Sequence, residues 1–204
     1  MLGLPASTQI KKLITKKKVY ERFAAEMSAE RRRRFDADIA RITLVHEISP
    51  ASLNVADGVD VHALFVVALA LRKKAFDPQN IALIARLFGQ RLVFVLAYGQ
   101  DERLALWQTK LLMTAWQPAG SQTLYLRGLN MDAIWEGVVT QIGGFQLEAG
   151  RSLDEQIALE DKRAKLQKEV ERLEKLAWAE KQPKRKLELV QQCKALRQSL
   201  EAIS

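Results

Sequence analysis

Apolar positions along this chain recur with two distinct spacings, and the changes between them predict the elements. Tyr20, Phe23, Ala24 and Met27 follow helical spacing, and Phe35 and Ile39 extend the same set. Residues 1–40 therefore read as an extended lead followed by a helix, with Ser7 or Thr8 available to cap a short first turn. Ile42-Thr43-Leu44-Val45 is a short β-type run that stops before Ser49-Pro50, and Asp57-Gly58 is a turn signal. Val59–Leu71 is nearly continuous in apolar residues, which predicts a strand buried on both faces. Asp77-Pro78 then opens a helix. Asp77 suits the N-cap and Pro78 the first turn, Ile81, Ile84, Leu87 and Phe88 form the stripe, and Gly89 ends it. Leu92–Tyr98 predicts a second buried strand, Leu104–Met113 its hairpin partner after a turn at Gly99–Glu102, and Leu124–Leu126 a short last strand.

Asn130–Gly144 predicts a helix with Ile134, Val138 and Ile142 on one face, stopped by Gly143-Gly144. Beyond Ser152 the pattern becomes heptad-like. Leu159, Leu166, Val170, Leu173 and Ala177 sit at spacings of three, four and seven, and Leu189, Cys193, Leu196, Leu200 and Ile203 continue beyond Pro183. Proline is costly inside a helix, so Pro183 marks the bend of a hairpin or a kink in one long helix. The hairpin is favoured because both stripes are short and can cover each other, with arms of about 25 residues, roughly 38 Å each. The prediction is an α+β (mixed α/β) fold: a mixed β-sheet flanked by helices, with a C-terminal antiparallel helical hairpin or coiled coil. Its parts are a basic lead and helix (1–40), a mixed core domain (41–150) and the hairpin (151–204).

Composition narrows the function classes. One cysteine in 204 residues, Cys193, excludes an intrachain disulfide and a four-cysteine zinc site, and its place on the apolar seam predicts burial. The longest apolar run, Ala63–Leu71, is too short to span a membrane, and the N-terminus lacks a signal-peptide pattern. A cytoplasmic location is expected, with no cofactor. The formal charge of +8 is unevenly spread: +7 over residues 1–34, −3 over 35–58, +1 over 59–150 and +3 over 151–204.

That distribution singles out two basic clusters able to neutralise phosphates. One comprises Lys11, Lys12, Lys16, Lys17, Lys18 and Arg31, Arg32, Arg33, Arg34; the other, Lys184, Arg185 and Lys186, lies at the hairpin bend. Successive arginines point around a helix, so they do not all face one duplex, and Glu26, Glu30 or Asp38 can pair with some of them. A metal nuclease needs converging carboxylates, yet the strand Val61–Arg72 contains none. Only an assembly of Asp60, Asp101, Glu102 and Asp132 would supply them. His46, in or just after a strand, and His62, at the start of one, have no nucleophile tied to them by spacing. Trp107, Trp116 and Trp135 are expected in the core, whereas Trp178 lies off the heptad seam. No glycine-rich phosphate loop is present.

Several segments in order resemble one family. They are Leu4-Pro5, Ser7-Thr8, Ile14-Thr15-Lys16 with Tyr20, Ile42–Leu53, Thr114-Ala115-Trp116, Leu126–Gly144 (LRGLNMDAIWEGVVTQIGG) and EKLAWAEKQPKRKLEL at the C-terminal end. They resemble the domain of unknown function 4391 family of bacteria and archaea, over almost the whole chain. The resemblance carries over no catalytic residue. It implies a setting beside helicases and DNA methyltransferases in restriction and anti-phage defence loci. The leading expectation is thus a non-enzymatic accessory subunit that binds itself or a larger partner (a helicase, a methyltransferase or another defence component). Leu159, Leu166, Val170, Leu173, Trp178, Leu189, Leu196 and Leu200 are the expected contact residues. The alternatives are nucleic-acid binding through the basic segment and a cryptic metal-dependent nuclease.

Overall fold

The computed structural model describes residues 2–203. Six strands lie side by side in sequence order: β1 (Gln9–Ile14), β2 (Ile39–Ile48), β3 (Leu64–Leu71), β4 (Arg91–Tyr98), β5 (Asp101–Trp107) and β6 (Leu111–Met113). A two-residue β7 (Gln117–Pro118) pairs with β5. Every pairing is antiparallel except β3 with β4, which run parallel from Leu64↔Arg91 to Ala70↔Ala97. A parallel pair needs a crossover, and α4 (Pro78–Phe88) provides it. The Asp77 carboxylate accepts from the Gln79 amide at 2.9 Å, and Gly89 closes the helix at φ 62°, a conformation glycine adopts without a Cβ penalty.

Alternation along the strands divides the sheet into two faces. On one, Val67, Leu69, Phe94 and Leu96 pack with Val19 of α1 (Lys16–Arg22), Phe35 of α2 (Ala29–Asp38) and Ile81 and Ile84 of α4. Residues of opposite parity, Val66, Val93, Leu104 and Leu106, are buried as well. A short α3 (Pro50–Leu53) follows β2, and α5 (Met131–Gly143) packs against β5 and β6 with Ile134, Trp135, Val138 and Ile142 buried.

A compact-unit break falls between Gln146 and Leu147. The second unit is a pair of helices, α6 (Leu153–Ala179) and α7 (Pro183–Glu201), packed against each other. Ser152 and Glu155 form a capping box that fixes the start of α6. Val170, Leu173, Ala177 and Cys193 are buried in the seam. Arg163 Nε donates to the Ile203 carbonyl at 2.8 Å and Arg197 pairs with Glu174, so the helices run antiparallel. The arms are uneven: 27 residues against 19. No helix among the described residues is long and apolar enough to cross a membrane.

Five local expectations change. The hairpin partner expected over Leu104–Met113 is two strands, β5 from Asp101 and β6 from Leu111, which pair antiparallel with each other. The extended lead adds to the sheet as β1, and the single helix expected after it is two helices, because Ser28 caps a new one by accepting from the Arg31 amide at 3.2 Å. Ile39 begins β2 rather than ending a helix. Leu124–Leu126 is not a strand; the Leu124 amide donates to the Leu2 carbonyl and the Tyr125 amide to Gln141 Oε1. The strand expected from Val59 starts only at Leu64.

That late start has a cause. Asp132, in the first turn of α5, accepts hydrogen bonds from the amides of Val59 (2.6 Å), Asp60 (3.1 Å) and Val61 (2.8 Å). Those amides are thereby withheld from the sheet. Gly58 is required beside them, since a Cβ there would lie 2.4 Å from the Val61 carbonyl oxygen and 2.6 Å from Asp132 Oδ1. The Val59 amide, followed by those of Val61 and Asp60, holds the Asp132 carboxyl below its ordinary range. A depressed carboxyl pKa contributes stability that is present above about pH 4 and is lost as pH falls through the folded value. Asp132→Asn should therefore flatten the acid limb of a melting-temperature profile measured from neutral to strongly acid pH; an unchanged limb would refute this role.

Candidate functional site

Four of the nine cations in the basic N-terminal cluster pair with carboxylates of the same unit. Lys16 pairs with Asp36 at 2.6 Å, Lys17 with Glu21 at 3.6 Å, Arg31 with Asp77 at 2.5 Å, and Arg34 with Glu30. The Asp77 contact ties α2 to the N-cap of α4. Arg32 lies over the Tyr20 ring, 5.4 Å from its centroid. Lys11 and Lys12 stand exposed on β1, an edge strand, where lysines also discourage pairing with a foreign strand. Lys18 and Arg33 are exposed, and neither has a carboxylate partner among the described residues.

The four acids considered for a metal form no metal-holding cluster among the described residues. Asp101 pairs with Lys74 at 2.5 Å; Glu102 accepts from the Gly120 amide at 2.8 Å; Asp132 holds the loop; Asp60 contributes its amide to that grip. No group of three or more His, Cys, Asp or Glu able to hold a metal ion occurs among the described residues. His62 lies in the loop before β3, with Nδ1 3.0 Å from Asp57 Oδ2.

His46 lies in β2, with Nδ1 2.9 Å from Thr8 Oγ1, while the Thr8 hydroxyl donates to the Pro5 carbonyl at 2.7 Å. That hydroxyl has one proton, so it accepts from Nδ1–H, and in the neutral ring Nε2 is then the unprotonated nitrogen. Burial lowers the His46 pKa. His46 borders a depression of about 340 Å³ over the sheet, with Ile10, Val45, Ala68 and Val95 beneath it.

In the hairpin, Val170 and Leu173 are buried, and Leu159, Leu166, Leu189, Leu196 and Leu200 are half-buried. These seven candidate contact residues are used largely in packing α6 on α7. Trp178 is different: 88% of it is exposed. Leu176, Leu187 and Val190 are exposed near the same end of the hairpin, and none of the three was singled out by the seam pattern. Their signal was available, as each is an apolar residue one or two positions off the heptad seam in its own helix.

A groove of about 560 Å³ opens here, lined by Ala177, Trp178, Val190 and Cys193. Its origin is in the seam, which carries large Val170 and Leu173 and then small Ala177 and Cys193, so the helices leave space. Lys186, Lys194, Arg197 and Glu174 complete the lining. At the bend, Arg185 lies 3.4 Å from Glu180, whereas Lys184 and Lys186 are exposed without carboxylate partners among the described residues. Trp135 is buried and Trp107 and Trp116 are half-buried. Lys74 and Arg103 both lie over the Trp116 ring, 5.4 and 5.2 Å from its centroid.

A search of the curated proteins finds no match, and a search of the solved structures finds none. Residues 2–200, however, match the family described as Domain of unknown function (DUF4391). The match spans the sheet-bearing unit and nearly all of the helical pair, and the chain belongs to that family.

Proposed function

We propose that this chain is a non-enzymatic interaction subunit whose helical hairpin docks it onto a larger protein. The exposed apolar end of the hairpin carries this reading. Trp178, at 88% exposure, lines one groove with Val190, and Leu176 and Leu187 are also exposed, in a unit whose remaining large apolar residues are mostly packed away. Tryptophan is enriched at binding hot spots because one ring desolvates a large area at small entropic cost. The resemblance to defence-locus proteins suggests a helicase, a methyltransferase or another defence component as that partner. The test is co-purification of the tagged full chain from cells that encode it. A stoichiometric partner is expected, and it should be lost on deleting residues 147–204, with circular dichroism showing that residues 2–146 stay folded. Retention of that partner by the folded truncation refutes the reading.

A second reading, nucleic-acid binding, draws on the cations left without acidic partners: Lys11, Lys12, Lys18 and Arg33 on the first unit, Lys184 and Lys186 at the bend. Binding through them would weaken with salt, and charge reversal at these positions would lower the salt slope. If the protein shifts neither DNA nor RNA at low salt, this reading is dropped.

A further inference from the structure

We infer that the groove between α6 and α7 receives a single acidic amphipathic helix from the partner protein. This deepens the docking reading and rests on it. Three observations converge. The first is shape. Two antiparallel helices with small residues at Ala177 and Cys193 form a trough with Trp178 and Val190 on its exposed sides. A third helix nests against such a pair at 8–10 Å between axes and inserts anchors spaced i, i+3 or i+4, and i+7.

The second observation is charge. Lys186, Val190, Cys193, Lys194 and Arg197 fall within an arc of about 100° on α7, at about 100° per residue. Arg197 is balanced by Glu174 across the groove. Lys186 and Lys194 have no carboxylate partner among the described residues, and they stand about 12 Å apart along the helix at 1.5 Å per residue. The rim therefore carries two uncompensated positive charges beside an apolar floor. Carboxylates two turns apart beside an apolar stripe complement it. A second copy of this groove does not: a two-fold interface would set the same positive rims against each other.

The third is the state of Trp178. Its ring is almost wholly in water although it abuts an apolar recess, which is the arrangement of an anchor awaiting a partner surface.

The experiment uses the full chain and two synthetic helical peptides of about 20 residues, long enough for five to six turns. Both carry the same leucine stripe; the flanking positions are all Glu in one and all Lys in the other. Fluorescence anisotropy of labelled peptide is expected to show saturable binding of the Glu peptide and at least about tenfold weaker binding of the Lys peptide, a difference that narrows with salt. Trp178→Ala should weaken the Glu peptide by at least about tenfold while leaving the melting temperature unchanged, because an exposed ring contributes little to folding. Trp178→Phe should retain part of the binding. Lys186→Glu with Lys194→Glu should reverse the preference between peptides.

Equal binding of both peptides, or no saturable binding of the Glu peptide, overturns the inference. So does a doubled solution mass that Trp178→Ala abolishes, which would make a second copy the occupant. Competition by a single-stranded oligonucleotide that depends on Trp178 would make it nucleic acid. If the peptide test fails while deletion of 147–204 still removes the co-purified partner, docking stands and only its chemistry is wrong. If deletion changes nothing, both readings fall.

Discussion

Replacing Asp38 with alanine is expected to destabilise the sheet-bearing unit by about 3 kcal/mol. Its carboxylate is 3% exposed and holds three elements together. Oδ2 accepts from the Asp77 amide at 2.8 Å and from Asn80 Nδ2 at 2.7 Å, and Oδ1 lies 2.8 Å from Lys73 Nζ. The α2–β2 junction, the end of β3 and the first turn of α4 therefore converge on one side chain. The Lys73 pair contributes little, because the lysine side chain is 54% exposed and rehydrates when released. The cost comes from the other two donors. Asn80 is wholly buried and its Oδ1 already lacks a partner, so losing Asp38 leaves the whole amide unsatisfied. Each buried donor stranded in this way costs about 1–3 kcal/mol. Asp38→Asn preserves an oxygen for both donors and should cost only about 1 kcal/mol. Urea denaturation of the two variants separates the cases, and equal losses would show that charge, not donor satisfaction, matters here.

Trp135→Ala is expected to cost about 3–5 kcal/mol, the range for deleting a large buried aromatic. The ring is 2% exposed in α5, its Nε1 donates to Gln108 Oε1 at 3.3 Å, and the Arg91 guanidinium lies 5.5 Å from the ring centroid. Removing it opens a cavity beneath α5 and detaches a helix that also carries Asp132. The expected signature is therefore double. Melting should fall by roughly 6–20 °C at about 2–4 °C per kcal/mol, and amides 59–61 should lose hydrogen-exchange protection together with α5. Trp135→Phe retains most of the volume and should cost about 1–2 kcal/mol. Protection at 59–61 that survives in the alanine variant would show that the loop is held independently of α5.

Much of this architecture was legible because local chemistry and burial agree. At α4, the Asp77-Pro78 start, the Ile81/Ile84 stripe and the Gly89 stop all point to one helix. The hairpin was legible from its three-four spacing and from Pro183, which begins α7. Strand β1 was not. An edge strand has one neighbour, so Gln-Ile-Lys-Lys-Leu-Ile shows no clean alternation and two of its side chains are lysines. The break before α2 was available in principle, since Ser28 has the chemistry of an N-cap; the continued apolar spacing through Phe35 masked it. The start of β3 was beyond local reading, because Asp132 lies 71 residues from Val61. The groove was half legible. Trp178 lay visibly off the seam, but the recess depends on which small residues of α6 and α7 come together across the bend.

The order of the strands also bears on how the chain reaches this fold. From β1 to β6 each strand pairs with its successor in sequence, so the sheet contains no pairing that must wait for a distant segment. Loop-closure entropy is then spent in small instalments, the longest between β1 and β2 and across the α4 crossover. During synthesis each new strand meets an edge already formed, and the sheet can grow outward one strand at a time. Stalled intermediates would expose the edge of the last strand added, and β3 and β4, nearly all apolar, are where aggregation of an interrupted chain would begin.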